Sequence, residues 1–128
     1  MIYLPGDQQQ GKLGYKRALE KFDLADSGLS VECSLDDEEN RQTIRNFLQT
    51  NSNFDGIFAA VEKLAINTYQ VCHELKIRIP QDIKVISFSN LAAAALFDPP
   101  LSTIVQPAYA IGKEATTILF KMIEKKIL

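Results

Sequence analysis

The sequence predicts an α/β protein in which helices cover both faces of a parallel sheet, a three-layer α/β/α sandwich. Short apolar runs that suit buried strands alternate with longer segments whose apolar residues recur at helical spacing. Each intervening segment is long enough to return the chain for another parallel strand in the right-handed sense. At 128 residues and 46% hydrophobic composition, the chain has material for one core.

The first half predicts a strand, a helix, a strand and a helix. Residues 1–4 are apolar and stop at Pro5-Gly6, and residues 8–22 then place apolar side chains on one helical face. Residues 28–35 alternate as a strand, with one apolar side made of Leu29, Val31, Cys33 and Leu35. The sequence Ser34-Leu-Asp-Asp37 is a capping pattern for the next helix, whose apolar stripe is Ile44, Phe47 and Leu48.

The second half continues the alternation. Residues 57–60 are wholly apolar, as a strand covered on both faces should be, and residues 62–75 form a helix with one buried face. A strand over 83–88, a short turn over 91–96 and a strand over 102–105 follow. The last segment, 108–125, carries the apolar stripe Ile111, Ala115, Ile118, Leu119 and Met122 and ends in lysines that suit a helix C-terminus.

The composition excludes several functions for the chain itself. Its 14 basic and 16 acidic residues give a net charge of −2, and no run of Lys or Arg exceeds two, so we expect no direct DNA binding. No stretch approaches the length of a membrane span, and residues 1–5 do not resemble a signal peptide, so we expect a cytoplasmic protein. We expect Cys33 and Cys72 to be buried, free thiols.

No residue pattern predicts catalysis, a metal site or a cofactor. His73 is the only histidine, and its neighbour Cys72 points away from it on a helix. The acidic run Asp36-Asp-Glu-Glu39 fits a solvated first helical turn better than a cation site, because consecutive side chains fan outwards there. We therefore expect a protein that is not an enzyme and uses neither metal nor cofactor.

Five segments, in this order, resemble motifs of the lactose repressor (LacI/GalR) family of bacterial transcription regulators. Its effector-binding domain shares the fold of periplasmic sugar-binding proteins. The segments are Gly14-Tyr-Lys-Arg-Ala-Leu19, Phe58-Ala-Ala-Val-Glu-Lys-Leu-Ala-Ile-Asn67, Ile79-Pro-Gln-Asp-Ile83, Val85-Ile-Ser-Phe-Ser-Asn90 and Pro100-Leu-Ser-Thr-Ile-Val-Gln106. The resemblance covers nearly the whole chain and implies two similar subdomains that clamp a small molecule.

By this resemblance, residues 1–105 correspond to the C-terminal subdomain, and 106–128 to a crossover and a helix of the other subdomain. The chain would then be the effector-sensing and dimer-forming fragment of a regulator whose DNA-binding headpiece is not in this sequence. A sugar or purine-like effector and a homodimer are the implied partners, with no membrane. The alternative is a fragment of a periplasmic-type solute-binding protein, which shares the fold.

The resemblance also implies candidate residues for the effector site. The family's effector contacts, an Arg, an Asn and an Asp, fall here on Gly11, Val61 and Ser89, so the usual polar clamps are replaced. Gln10, Glu62 and Asn90 are polar and adjoin these positions, and ligands of parallel sheets collect at the carboxyl ends of strands. The alternative is structural: Ser89-Asn90 caps the following turn, and Glu62 favours the start of its helix.

The resemblance suggests that the helix over 62–75 and the turn over 91–96 contribute to dimerisation. The candidate residues are Leu64, Thr68, Leu91, Ala92 and Ala95. The stripe over 108–125 also needs burial, since each large aliphatic side chain gains about 1.5–3 kcal/mol on leaving water. We expect that helix to fold onto its own domain or onto a second copy of the chain.

Overall fold

The structure is a computed structural model that describes residues 1–6 and 9–127. The strands are β1 (Ile2–Tyr3), β2 (Val31–Glu32), β3 (Gly56–Ala59), β4 (Lys84–Phe88) and β5 (Ser102–Ile104). The helices are α1 (Gln9–Lys21), α2 (Asp37–Thr50), α3 (Glu62–Glu74) and α4 (Ala108–Ile127), with 3-10 turns at Ala25–Ser27 and Ala92–Leu96. The predicted first residue of α1, Gln8, lies outside the described residues.

Within the described part of the chain, the five strands form one parallel sheet in the order β2-β1-β3-β4-β5. Strand β1 lies inside the sheet, with β2 on one side and β3, β4 and β5 on the other. Right-handed crossovers therefore place α1 on one face of the sheet and α2 and α3 on the opposite face. The predicted α/β sandwich with a parallel sheet is confirmed. All the carboxyl ends of the strands lie at the same edge, where a ligand would be expected.

The core lies between the sheet and one pair of helices, α2 and α3. Ile44 and Leu64 are fully buried there against strand residues such as Ile57 and Val85. The predicted stripes of both helices are confirmed in this packing. Cys33 and Cys72 are also buried in the core as free thiols, and burial raises the pKa of each to about 11.

The opposite face of the sheet is covered less completely. Tyr15 of α1 packs beside Tyr3 and Phe58, but most other side chains of α1 are exposed, and Phe22, predicted on its buried face, is 68% exposed. The predicted strand over 28–35 shortens to β2, and Leu35 is 74% exposed. The chain leaves the sheet after Cys33 because Ser34 and Asp36 begin the cap of α2, with Asp36 Oδ1 accepting from the amide of Glu39 at 2.9 Å.

Helix α4 does not fold onto the rest of its own chain. Every side chain described for α4, from residue 108 to 126, is exposed, including those of Ile118, Leu119 and Met122. The prediction that α4 covers its own domain is therefore wrong, because the segment after β5 carries the chain away from both layers of helices. Burial of the stripe by a second copy stays a prediction. No helix in the described residues is long and apolar enough to cross a membrane.

Candidate functional site

A polar pocket lies at the carboxyl ends of β3 and β4, beside the segment that follows β5. Its volume is about 340 Å³. It is lined by Ala60, Val61, Glu62, Lys63, Phe88, Ser89, Asn90 and Gln106. The pocket exists because β3 and β4 are parallel neighbours, so the residues that follow each strand meet at one edge of the sheet.

Glu62 is the hydrogen-bonding centre of this pocket. One carboxylate oxygen, Oε1, accepts from the hydroxyl of Ser89 at 2.7 Å and from the amide of Asn90 at 2.9 Å. Ser89 is buried, and its hydroxyl oxygen also accepts from the amide of Leu91 at 3.0 Å. The start of α3 is thus tied to the end of β4. Hydrogen bonds to an ionised acceptor are about twice as strong as neutral ones, which makes this a firm attachment.

Asn90 extends the same arrangement to the next strand. Its side-chain oxygen accepts from the backbone amide of Gln106 at 2.8 Å, and the amide of Ser89 donates to the carbonyl of Ile104 at 3.2 Å. The Ser89 hydroxyl bonds the start of the following turn, as the structural alternative has it, whereas the Asn90 side chain bonds the segment after β5 instead. These residues support the pocket as well as lining it.

The ammonium group of Lys63, the next residue, is paired with groups that do not line the pocket. Its ammonium group donates to the carbonyl of Leu35 and lies 3.4 Å from the carboxylate of Asp37. A hydrogen bond from Asn67 and the nearby Lys63 lower the pKa of Asp37 below its ordinary value. The pocket therefore presents a carboxylate and amide groups to a ligand, and these suit hydroxyl and N–H donors.

An aromatic wall completes the pocket. Phe88 lines it and packs edge-to-face on Phe58, with ring centroids 5.4 Å apart and planes at 75°. Among residues 1–6 and 9–127, no three His, Cys, Asp or Glu side chains are grouped to hold a metal ion. The arrangement is thus suited to binding a small molecule with polar edges and an apolar face.

The structure brings four of the six predicted effector residues together. Val61, Glu62, Ser89 and Asn90 all line the pocket. Gln10 and Gly11 lie in the first turn of α1, are exposed, and are not among its lining residues. Their role in effector binding stays a prediction. Gln106 was missed, although it ends the fifth motif directly after a strand.

The residues predicted for a dimer interface divide into two groups. Leu64 and Thr68 are fully buried in the core, and the Thr68 hydroxyl donates to the carbonyl of Leu64 at 2.7 Å. They offer no surface to a second chain, because the face of α3 that carries them packs on the sheet. Ala92 and Ala95 are exposed and Leu91 is half-buried, so these three remain available for contact.

Sequence analysis also missed a buried asparagine pair between α2 and α3. Asn40 is fully buried, its Oδ1 accepts from the amide of Ser34 at 2.7 Å, and its Nδ2 donates to the Ser34 carbonyl at 3.0 Å. The same Nδ2 lies 3.4 Å from Oδ1 of Asn67. An Asn one turn before Ile44, on the apolar side of α2, was the available signal. The pair holds the loop that leads from β2 to α2.

A larger cavity lies elsewhere, at the amino ends of the strands under α1. Its volume is about 550 Å³, and side chains such as Leu19, Leu29 and Ile86 line it. It marks the incompletely covered face of the sheet. The smaller polar pocket is the better candidate for a ligand, because several hydrogen-bonding groups converge there at the strand ends.

Comparison with known proteins identifies the family to which this chain belongs. Residues 6–127 match the family described as periplasmic binding protein-like domain, and the chain belongs to that family. Two curated relatives are each 32% identical to it. They are the ribose operon repressor of Halalkalibacterium halodurans, matched over 90% of this chain, and the transcriptional repressor PurR of Vibrio atlanticus, matched over 88%. The chain spans about one third of the length of these relatives, 34% in both cases.

Solved structures agree with this assignment of the fold. A LacI family regulator from Enterococcus faecium with bound ribose superposes with a TM-score of 0.76 at 25% identity, over 96% of this chain and 48% of that one. A LacI family regulator from Arthrobacter sp. FB24 in complex with lactose gives a TM-score of 0.78 at 20% identity, over 98% of this chain and 49% of that one. The names of these relatives describe them as transcriptional repressors and regulators.

Proposed function

We propose that this chain is the effector-sensing part of a LacI-type transcriptional regulator, with DNA read by a separate module. The proposal is carried by the polar pocket at the carboxyl ends of β3 and β4, in a chain whose curated relatives repress transcription. The effector is a small molecule rich in hydroxyl or N–H donors, of the sugar or purine type. The chain itself is cytoplasmic, has no catalytic role and forms a homodimer in which Ala92 and Ala95 lie at the contact.

Residues 106–128 are then a crossover and a helix of a second subdomain. The exposure of every described side chain of α4 supports this division, because a helix with an apolar stripe needs a surface that this part of the fold does not supply. In such a regulator a ligand acts by binding one arrangement of the subdomains more tightly than the other.

The test is ligand-dependent thermal stability of the chain. A ligand at about one hundred times its dissociation constant adds about 2.7 kcal/mol to the free energy of unfolding. Ribose, other sugars and purine bases are screened against the wild type and against Glu62→Ala. We expect at least one compound to raise the melting temperature of the wild type and to have a smaller effect on the variant. An equal shift in both proteins would place the ligand outside this pocket and contradict the proposal.

The second candidate is a solute-binding protein of the periplasmic type. The family description, periplasmic binding protein-like domain, covers this class as well. The reading frame upstream of the chain discriminates between the two. A basic helix-turn-helix of about sixty residues indicates the regulator, and a signal peptide indicates the solute-binding protein.

A further inference from the structure

One face of the sheet is open beside α1. Residues that pair between parallel strands point to the same face, and the pairs Phe58–Ile86 and Phe88–Ile104 share the face on which Tyr15 of α1 packs. Ile86 is 38% exposed and Ile104 is 41% exposed. Parallel sheets are normally covered by helices on both faces, so this open sheet face, made of Phe58, Ile86, Phe88 and Ile104, lacks part of a helical layer.

The apolar stripe of α4 is the complementary surface. Its four large side chains, Ile111, Ile118, Leu119 and Met122, are between 49% and 60% exposed. Within the described residues, the stripe is thus a helix surface without a sheet, and the open sheet face is a sheet surface without a helix. Both surfaces belong to the same chain, but α4 does not cover the open sheet face of its own copy. A second copy of the chain offers the same two surfaces in return.

The charges of the two surfaces also suit each other. Helix α4 carries four lysines and two glutamates, a charge of +2, and since the whole chain carries −2, the remaining residues carry −4. The exposed charged residues around the amino ends of the strands are Glu20, Asp23, Asp26 and Asp55, with Lys21 and Lys84. The helix of a βαβ unit runs opposite to its strands. In that direction, α4 of a second copy brings the lysines near its C-terminus to this acidic edge.

Two such contacts give an interface of ordinary size. Burying one large aliphatic side chain removes about 60–120 Å² from water. The receiving side of each contact offers four exposed side chains, Leu24, Leu29, Ile86 and Ile104, to the four of the stripe. Each contact then buries about 500–1,000 Å². Two reciprocal contacts bury about 1,000–2,000 Å², which matches the range of about 1,200–2,000 Å² for stable interfaces.

We propose that two copies of this chain pair reciprocally, with α4 of each copy packed on the open sheet face of the other. The arrangement is two-fold symmetric and closed, so each copy buries both of its uncovered apolar surfaces. The contact is separate from the turn that carries Ala92 and Ala95, and it does not depend on a ligand in the polar pocket. In this 128-residue chain, the second copy provides the surface that the proposed function assigns to a second subdomain.

The first experiment measures the dissociation constant of the pair by analytical ultracentrifugation. All chains carry Ala95→Glu, an exposed position, so that the contact proposed at Ala92 and Ala95 does not contribute. We expect a dissociation constant of about 1 μM or below, as interfaces of this size show. In Ile118→Gln the constant should rise at least about a hundredfold, since the pair loses two buried side chains. A parent chain that is still monomeric at about 100 μM overturns the proposal.

The matched control is Phe120→Gln. Phe120 is apolar and 59% exposed, but it lies two residues from Ile118 and therefore on the opposite side of the helix. It should leave the dissociation constant unchanged, and an equal loss in both variants overturns the proposal. Because both side chains are exposed, the variants should keep the fold, which thermal unfolding followed by circular dichroism checks.

The second experiment identifies the receiving surface by crosslinking. Chains with Ile86→Cys are mixed with chains that carry Ile118→Cys, and a short bismaleimide joins thiols that lie close together. The native thiols are buried and react slowly. The mixed pair, recognised by its mass, should be the main product. A control mixture, with Gln49→Cys on the exposed side of α2 in place of Ile86→Cys, should not give it.

A main product that joins two Ile118→Cys chains would show that α4 pairs with α4 instead, and would overturn the proposal. Hydrogen exchange gives an independent measure. In the monomer the amides of α4 exchange early, because its described side chains pack on nothing. Pairing covers the stripe, so protection of residues 108–126 should increase with protein concentration. Protection that does not depend on concentration would contradict the pairing, whatever the outcome of the ligand screen.

Discussion

Asn40 allows a sharp test of how the α2 side of the fold is held together. The side chain is fully buried and bonds both the amide and the carbonyl of Ser34, at 2.7 and 3.0 Å. Replacing it with Ala removes the partner of two backbone groups of Ser34 and of the side-chain oxygen of Asn67. A typical buried hydrogen bond contributes about 1 kcal/mol, and an unsatisfied buried group costs about 1–3 kcal/mol. We therefore expect Asn40→Ala to lower the free energy of unfolding by about 2–4 kcal/mol.

The assay is urea denaturation followed by circular dichroism, with a thermal melt as a second measure. For a chain of this size, about 1 kcal/mol corresponds to about 4 °C, so the melting temperature should fall by about 8–16 °C. Asn40→Leu keeps the branched shape of the side chain without its polar atoms, so it separates the lost hydrogen bonds from a cavity and should also destabilise. The matched control is Asn46→Ala, an exposed asparagine on the same helix, which should change stability by less than about 0.5 kcal/mol. Wild-type stability in both Asn40 variants would refute the reasoning.

Three further predictions follow from local chemistry. Burial raises the pKa of Cys33 and Cys72 to about 11 from 9.0. A thiol reagent at pH 8 should therefore modify both at least about a hundredfold more slowly than an exposed cysteine, and fully only in denaturant. Rapid modification of the folded protein would contradict this. Hydrogen bonds from the side chain and backbone amide of Arg78 lower the pKa of Asp82 from 3.8 to about 2, so their stabilisation is present above about pH 4 and is lost as the pH falls towards 2. In Arg78→Met, a carboxyl titration by NMR should show the Asp82 pKa closer to its ordinary value, and an unchanged pKa would exclude this cause. Lys76 has φ +57° just after α3, a conformation that glycine adopts more readily than lysine. Lys76→Gly should therefore raise the free energy of unfolding, measured by urea denaturation, by about 0.5–1 kcal/mol. A loss of stability would show that the conformation is not strained.

The sequence was sufficient to predict the parallel sheet and half of the pocket for a simple physical reason. Runs such as 57–60 and 83–88 carry the periodicity of buried strands, and parallel pairing then places the residues after each strand at one edge. Glu62 and Asn90 could therefore be predicted as neighbours although 28 positions separate them.

The remaining errors come from tertiary geometry that a local pattern does not contain. Leu64 and Thr68 lie on the apolar face of α3, and a sequence pattern cannot tell whether that face meets its own sheet or a second chain. Leu35 continued an alternating pattern, but the cap of α2 ended the strand before it. Asn40 was missed because its partners are backbone groups of Ser34, whose position depends on the fold.

The uneven covering of the two faces of the sheet has a consequence for how the molecule opens. Backbone amides in β3, β4 and α3 lie beside fully buried side chains. The amides of α1 border an incompletely filled space, and the amides of α4 belong to a helix whose described side chains are exposed. Native proteins open in cooperative units whose opening free energies follow such differences. The α2–α3 layer with its strands should therefore form the last unit to open, and α1 and α4 should exchange their amide hydrogens first.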